Sequence, residues 1–333
     1  MTTAAPQPPE APESDRPRDT AAAVRSSQGV KAKARLADRV FSGLASGSGT
    51  LILVILAAVA LFLVVQSLPA LTAPPADVSG GAGFWGFVGP LMFGTVYAAA
   101  LAMLMAVPVA IGIALFISHY APRRLAQGLG YIIDLLAAVP SVVFGLWGIT
   151  VLARFLQPFY SFLTDSFGWF PLFAGPVSGT GRTIFTVAVV LAVMILPIVT
   201  ALCREVFLQT PKLHEEAALA LGATRWEMIQ TAVLPFGRPG IISASMLGLG
   251  RALGETMAVA IVLSPAAVVN FAWFQSTNSN TVAANIALSF PEAYGLKINE
   301  LIASGLMLFI ITLAVNMLAR YIISRRKAFS GAN

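Results

Sequence analysis

Residues 91–116 read LMFGTVYAAALAMLMAVPVAIGIALF, a run of 26 residues without Asp, Glu, Lys, Arg or His. A helix of about 20 apolar residues is long enough to cross the roughly 30 Å hydrocarbon core of a bilayer. Similar apolar runs recur along the chain between short polar stretches, and 57% of the 333 residues are hydrophobic while 11% are charged. This composition argues against a water-soluble fold and predicts an all-α, polytopic membrane protein.

The apolar runs predict six transmembrane helices, at residues 49–71, 91–116, 131–152, 184–204, 240–263 and 300–323. Six crossings place both termini on the same side of the membrane. Of the 21 Lys and Arg residues, 17 lie in the two tails and in the second and fourth connections. Because loops rich in Lys and Arg stay in the cytoplasm during insertion, this distribution predicts an inner-membrane protein with both termini cytoplasmic.

Composition also predicts the organisation along the chain. Residues 1–45 are rich in Pro, Ala, Ser and charge, which is typical of a disordered cytoplasmic tail. Residues 46–90 hold an added first helix and an outside linker, residues 91–326 the transmembrane core, and residues 327–333 a short cytoplasmic tail. Between the fifth and sixth spans, Thr281 is placed to cap a helix that lies at or dips into the membrane interface.

Several classes of function find no support in the sequence. The single Cys203 allows no disulfide, and with the isolated His119 and His214 it suggests neither a metal site nor a cofactor. The basic residues flank the spans without interleaved aromatic residues, so nucleic-acid binding is not expected. The chain has no Gly-x-x-x-x-Gly-Lys-Ser/Thr motif and no cluster of catalytic side chains, so it is not expected to be an enzyme, and any ATP hydrolysis belongs to a separate subunit.

The connection at residues 210–235 has strong local signals for two short helices around a glycine. Thr210 is expected to cap the first helix, with Pro211 at its first position, and Gly222 is expected to end it in a left-handed conformation. Thr224 and Glu227 have the spacing of a capping box for the second helix, which is expected to end at Pro235.

Two opposite charges lie inside the apolar fifth span, at Arg251 and Glu255. Charges are unfavourable in lipid, and residues four apart share a helix face, so the two side chains are expected to pair and to face a pathway or the bundle interior. The guanidinium matches phosphate oxygens, and the carboxylate could accept a hydrogen bond from the proton that phosphate carries and sulfate lacks. The alternative is an ion pair that only fixes helix packing. Glycines that would admit a neighbouring helix or a solute surround the pair, at Gly248, Gly250 and Gly254.

The connection at 210–235 resembles the EAA loop of binding-protein-dependent ABC importer permeases, through Glu216-Ala217-Ala218, Gly222 and Leu234-Pro235. In that family the loop docks into a groove of the ATPase subunit. The resemblance implies the type I ABC importer permease fold. It also implies an ATPase-coupling role for Glu215, Glu216, Ala217, Ala218, Gly222, Leu234 and Pro235. Ala232 departs from the family pattern, in which isoleucine usually precedes the Leu-Pro pair.

The runs at 250–259, GRALGETMAV, and at 139–148, VPSVVFGLWG, resemble the phosphate-specific importer permease of the C type. The resemblance extends from about Leu91 to Arg326. It implies a pathway for inorganic phosphate that includes Arg251, Glu255 and Thr256. The implied partners are membrane lipid, a second permease of the A type, two ATPase subunits and an outside phosphate-binding protein. Two alternatives stay open: a permease for another oxyanion such as sulfate or molybdate, and an ion-coupled carrier or channel.

Overall fold

The computed structural model describes the backbone of residues 36–327 and the side chains of residues 40–321. The predicted tail lies outside this part of the chain up to residue 35, and its last ten residues, 36–45, are helical rather than disordered. The predicted C-terminal tail lies outside it from residue 328. Within the described residues the chain divides into two units, one up to Ala58 and one from Val59.

The described chain is mainly helical. Its helices are α1 (Leu36–Thr72), α2 (Gly83–Leu115), α3 (Arg123–Ala137), α4 (Ser141–Trp147), α5 (Ala153–Phe167), α6 (Ile184–Leu208), α7 (Lys212–Ala220), α8 (Arg225–Met228), α9 (Leu234–Gly254), α10 (Met257–Val262), α11 (Val282–Ser289) and α12 (Leu296–Lys327). Single π-helical turns extend α2 and join α4 to α5 and α8 to α9. Two short parallel strands, β1 (Pro265–Ala266) and β2 (Asn278–Ser279), pair Pro265 with Asn278.

Six stretches within the described residues are helical, long and apolar enough to cross a membrane. They are Val40–Thr72, Gly83–Tyr120, Ser141–Phe167, Ile184–Leu208, Arg225–Gly254 and Leu296–Tyr321. The predicted number of spans and the all-α class are therefore confirmed, and the fourth and sixth agree closely with their predicted limits.

The third predicted span, residues 131–152, is not a single helix. The chain breaks between α3 and α4 at residues 138–140. Pro140 has no amide N–H, and its ring disfavours helical backbone at Val139, so the helix is interrupted although the sequence stays apolar.

The fifth predicted span, residues 240–263, has different limits. One helix runs without interruption through residues 225–254, and the prediction that it ends at Pro235 is wrong. A π-helical turn at Ile229–Val233 precedes this proline and rearranges the backbone hydrogen bonds where its N–H is missing. The helix then ends at Gly254, and residues 255–256 separate it from the short α10.

The core of the bundle forms where α2 lies along α6. One side of α2 carries an alanine at every fourth position, and these alanines are buried: Ala98, Ala102, Ala106, Ala110 and Ala114. They pack against apolar residues of α6 such as Leu191, Ile195 and Val199. Because residues four apart lie on one face and alanine is small, the two backbones can approach closely, which is how membrane helices commonly associate.

Buried polar contacts organise the end of the bundle where α6 begins. Thr281 caps α11 as expected, because its Oγ1 accepts the Ala284 N–H. The side chain of Asn278 accepts the Ile184 N–H at 2.9 Å and donates to the Arg182 carbonyl at 3.1 Å. The polar segment before α11 is therefore a buried element of the fold.

A further buried carboxylate lies on α12. Glu300 is 1% exposed, and its Oε1 accepts the Ser79 N–H at 3.1 Å. This contact fixes the linker between α1 and α2 to the last helix.

Candidate functional site

A cavity of about 700 Å³ lies between α6, α9 and α12. Its lining is Ile198, Leu202, Ser243, Met246, Leu247, Gly250, Arg251, Asn316, Ala319 and Arg320. Two guanidinium groups and no carboxylate line it, so its electrostatic potential favours an anion. Arg251 is half-buried, and its Nε is shielded from solvent without a hydrogen-bond acceptor. Buried polar groups are normally paired, so this N–H lacks an expected partner, and the guanidinium to which it belongs lines the cavity.

The expected pairing of Arg251 with Glu255 is wrong. The four-residue rule requires an uninterrupted helix, and α9 ends at Gly254. Glu255 has extended backbone, with φ −68° and ψ 127°, and its carboxylate turns to the next helix, where Oε1 accepts the Ala258 N–H at 3.1 Å. Glu255 is 8% exposed, and Thr256 beside it donates from Oγ1 to the Gly254 carbonyl at 3.2 Å. The two charges are therefore separated by the interruption of the helix at residues 255–256.

The short helix α10 is held at both ends. Glu255 satisfies a backbone N–H at its beginning. At its other end Arg182 donates to the carbonyl groups of Ile261, Val262 and Leu263, at 3.2, 3.4 and 2.9 Å. A basic side chain is favourable there because the last carbonyl groups of a helix lack partners and carry its negative dipole end.

Two residues of this region escaped the sequence analysis. Arg182 was given no role there, and Arg320 was counted only among the charges of the C-terminal tail. Arg182 lies 79 to 81 positions from the carbonyl groups that it binds. Arg320 lies 69 positions from Arg251, with which it shares the cavity. No local pattern links residues so far apart, so only the packing of the helices identifies them.

Gly248, Gly250 and Gly254 have different surroundings. A Cβ at Gly248 would come within 2.8 Å of Val199 on α6, so this glycine allows close helix packing. Gly250 and Gly254 face open space, and Gly250 lines the cavity. The two predicted roles of the glycines therefore belong to different residues: Gly248 admits a neighbouring helix, and Gly250 leaves room for a solute.

The connection at 210–235, called the elbow below, follows its predicted local structure in part. Gly222 has a φ of +88°, which L-amino acids rarely adopt, and ends α7 as expected. Thr224 and Glu227 form the predicted capping box. Thr210 does not cap α7, because Pro211 occupies the N-cap position without a side-chain bond and the Thr210 hydroxyl is buried without a partner.

One face of the elbow is exposed and largely apolar. Leu221 is 90% exposed, and Leu213 and Trp226 are also exposed. Glu216 and Ala217 are exposed on α7 as well. A protruding apolar surface with a carboxylate beside it has the composition of a protein-docking surface.

The opposite face of the elbow packs against the bundle. Ala218 and Leu234 pack against a buried cluster built from α2, α6 and the elbow, whereas Pro235 is exposed. Glu215 is half-buried, with its Oε1 at 3.5 Å from Nε2 of His119 at the end of α2. Of the residues with a predicted coupling role on α7, Glu215 and Ala218 therefore face the bundle, and Glu216 and Ala217 lie on the exposed face.

The chain matches the sequence model of the family described as binding-protein-dependent transport system inner membrane component over residues 106–328. It is 47% identical over 300 residues to the phosphate transport system permease protein PstC 2 of Mycobacterium tuberculosis, covering 87% of this chain and 92% of that protein. It is 39% identical over 323 residues to the phosphate transport system permease protein PstC of Mesorhizobium japonicum, covering 93% of this chain and 97% of that protein.

Solved structures share the fold at low sequence identity. A bacterial ABC transporter involved in the import of the acidic polysaccharide alginate has a chain with a TM-score of 0.52 and 18% identity, covering 86% of this chain and 99% of that one. A chain of the bacterial alginate ABC transporter in complex with an alginate pentasaccharide-bound periplasmic protein has a TM-score of 0.54 and 17% identity. The match covers 90% of this chain and 100% of that one. The fold is therefore that of ABC importer permeases. The chain belongs to the family of binding-protein-dependent transport system inner membrane components, among the PstC permeases, and is a multi-pass inner-membrane transport subunit rather than an enzyme.

Proposed function

We propose that this chain forms part of the pathway for inorganic phosphate in an ATP-driven importer. The observation that carries the proposal is the cavity between α6, α9 and α12, where Arg251 presents a shielded N–H without an acceptor and Arg320 adds a second positive charge. Guanidinium groups match the oxygens of phosphate and remain charged when buried. The names of the curated relatives, phosphate transport system permease proteins, support the same substrate.

The pathway residues in this proposal are Arg251, Glu255 and Thr256. Arg251 is the direct anion contact. Glu255 and Thr256 form the non-helical interruption between α9 and α10, and Glu255 also accepts a backbone N–H at the start of α10. Substrate passage requires the pathway to open and close, and the break supplies a point at which α9 can move relative to α10.

The elbow couples this region to ATP hydrolysis in a separate subunit. Its exposed face, with Glu216, Leu221 and Trp226, fits a groove of an ATPase. The helix that begins in the elbow continues without interruption through residues 225–254, about 45 Å at 1.5 Å per residue, and reaches the cavity at Arg251. Because a continuous helix is stiff, ATPase closure displaces the cavity wall.

The proposal includes the domains and partners that the sequence implies. The elbow and both termini are cytoplasmic, since the basic residues gather on that side. The core at residues 91–326 works with a second permease of the A type, two ATPase subunits and an outside phosphate-binding protein. One of the solved structures that share the fold is a complex with a periplasmic protein.

Uptake by the reconstituted four-component importer tests this function. Vesicles that hold this chain, the second permease and the ATPase are expected to accumulate radioactive phosphate only with binding protein on one side and Mg-ATP on the other. A tenfold excess of arsenate, which has the same shape and protonation, should compete, whereas sulfate and molybdate should not. Uptake driven by a proton gradient without the ATPase, or accumulation of sulfate, would instead support one of the two alternatives.

Replacing Glu255 with glutamine is expected to reduce phosphate uptake about tenfold and to weaken discrimination against sulfate. The amide oxygen of glutamine can still accept the Ala258 N–H, so α10 keeps its cap. The variant loses the charged acceptor for the proton on phosphate, and a hydrogen bond to a charged group contributes about 1.5–3 kcal/mol. Uptake of labelled phosphate with and without sulfate measures both effects.

Glu300 provides the matched control for this substitution. It is also a buried carboxylate that accepts a backbone N–H, but its partner is Ser79 in the linker before α2 and not a residue at the interruption after α9. Glu300→Gln is therefore expected to leave uptake and selectivity unchanged. If Glu255→Gln behaves in the same way, the carboxylate has no role in recognising phosphate.

A further inference from the structure

Helix α5 has four different surfaces, and the sequence analysis did not predict this helix. One face packs on the protein, where Ala153 and Tyr160 are fully buried and the Tyr160 hydroxyl is 2.8 Å from Thr186 Oγ1. At 3.6 residues per turn the opposite face is exposed and aromatic, and it carries Phe155, Phe159 and Phe162. One flank between these faces is polar and exposed, with Arg154, Ser161 and Asp165, and the other is apolar and half-buried, with Leu156 and Leu163.

The level of α5 along the bundle follows from two close contacts. Gly130 on α3 lies directly against the guanidinium of Arg204 in the last turns of α6, and Gly181, just before α6 begins, lies against the backbone of Ala153. Gly130 therefore lies at the level of the C-terminal end of α6, and Ala153 lies at the level of its N-terminal end. The 25 residues of α6 span about 37 Å, so the chain covers about this distance between Gly130 and Ala153. The hydrocarbon core is about 30 Å thick, so residues 130–152 complete this crossing, and α5, although it belongs to the apolar stretch Ser141–Phe167, starts at or beyond the edge of the core.

The direction of α5 is given by a second contact of the same helix. Tyr160 lies two turns after Ala153 and still contacts Thr186, in the first turn of α6. The Gln157 side chain between them donates to the Gly179 carbonyl at 2.7 Å. The helix therefore runs across this end of α6, at the surface of the membrane. Trp169, which is exposed just after α5, is a residue type enriched at this depth.

The aromatic face cannot be left in water without a large penalty. Phe155 is 77% and Phe162 is 63% exposed, and burying a phenylalanine side chain contributes about 1.5–3 kcal/mol. A helix with aromatic side chains on one side and a basic residue on its polar flank is typical of segments that lie in the membrane interface. The half-buried leucines on the flank opposite Arg154 then point towards the hydrocarbon.

The guanidinium of Arg154 identifies what this surface binds. Arg154 has no hydrogen bond or ion pair within the described residues, and it shares a surface cleft of about 630 Å³ with Phe155, Leu156, Pro158 and Phe159. An arginine can extend along an apolar surface and keep its charge at the level of the headgroups. We propose that α5 is an interfacial helix that binds a phospholipid, with the headgroup phosphate on Arg154 and the acyl chains against the phenyl rings. Free phosphate would not account for the aromatic half of the cleft.

Spin labelling of the full chain in the assembled transporter tests the position of α5. Cys203 is the single cysteine and is buried, so Cys203→Ala gives a background for one label at a time. In reconstituted vesicles, a label at Phe159→Cys is expected to be far more accessible to oxygen than to a water-soluble nickel chelate, and a label at Asp165→Cys the reverse. Tyr294→Cys, in the connection between α11 and α12 and 81% exposed, is the reference for water exposure. A label at 159 that reaches neither quencher is covered by another subunit, and one that reaches the chelate lies in water; each result overturns the proposal.

Lipid binding by the purified transporter tests Arg154 itself. With phosphatidylglycerol as the probe, Arg154→Gln is expected to lower the lipid-bound fraction in native mass spectra about fivefold. An arginine near an anionic surface contributes about 1 kcal/mol to binding, which is about a fivefold change in affinity. Lys297→Gln removes another exposed cation elsewhere and should leave the lipid-bound fraction unchanged. Equal loss in both variants, no loss in either, or displacement of the lipid by inorganic phosphate would refute a lipid site at Arg154. None of these results depends on which solute the transporter carries.

Discussion

Phosphate uptake is expected to fall on the order of a hundredfold when Arg251 is replaced by alanine, because the cavity loses one of its two guanidinium groups. Hydrogen bonds to charged groups contribute about 1.5–3 kcal/mol each, and every 1.4 kcal/mol is a factor of ten. Arg251→Lys keeps the charge and loses the planar pair of donors, so it should retain a measurable part of the uptake. Initial rates of labelled phosphate uptake in reconstituted vesicles make the comparison.

Two further variants separate recognition from assembly. Arg320→Ala is expected to give a smaller loss than Arg251→Ala, because Arg320 is exposed at the rim of the same cavity. Arg124→Ala removes an exposed arginine outside the cavity and should leave uptake unchanged. The Lys variant and co-purification of all subunits show whether the complex has assembled. Normal uptake by an assembled Arg251→Ala transporter would remove Arg251 from the pathway.

Replacing Leu221 with aspartate is expected to release the ATPase subunit from the purified complex and to reduce ATP-driven uptake at least tenfold. Leu221 is the most exposed large apolar residue in the described part of the chain, at 90%, and it lies on the outward face of the elbow. Burying such a side chain in a groove contributes about 1.5–3 kcal/mol, and a buried unpaired aspartate is strongly unfavourable there. Co-purification of the ATPase and its phosphate-dependent ATP hydrolysis measure the loss.

Tyr294→Asp is the matched control for the elbow variant. Tyr294 is 81% exposed and lies in the connection between α11 and α12, which the proposed topology places on the opposite side of the membrane. Its replacement introduces the same charge at a similarly exposed residue and should leave the ATPase bound. If Leu221→Asp retains the ATPase to the same extent as Tyr294→Asp, the exposed face of the elbow is not the docking surface.

Several features could be predicted because they depend on neighbouring residues alone. The capping box of Thr224 and Glu227, the left-handed conformation of Gly222 and the cap at Thr281 all follow from short-range hydrogen bonds and steric limits. The same reasoning failed at Thr210, since Pro211 holds the cap position itself. Local signals thus define helix ends, although two adjacent candidates can compete for one position.

Errors arose where a local rule was used to decide whether a helix continues or ends. The pairing of Arg251 with Glu255 followed from four-residue spacing, but the break after Gly254 turns the carboxylate towards α10. Pro235 was expected to end a helix, and a preceding π-helical turn lets the helix continue. Both outcomes depend on the packing of the fifth span against its neighbours, which hydropathy and spacing do not contain.

The amino-acid sequence by itself determined that the chain is helical and crosses the membrane six times, because lipid requires about 20 apolar residues for each crossing and every backbone group paired within its own helix. It also determined the caps and the glycine stop of the elbow. The tertiary structure alone decided that Arg251 shares a cavity with Arg320, that Arg182 holds the end of α10 and that Tyr160 of α5 contacts the first turn of α6. These relations join residues far apart in the chain, and only the packing of the helices brings them together.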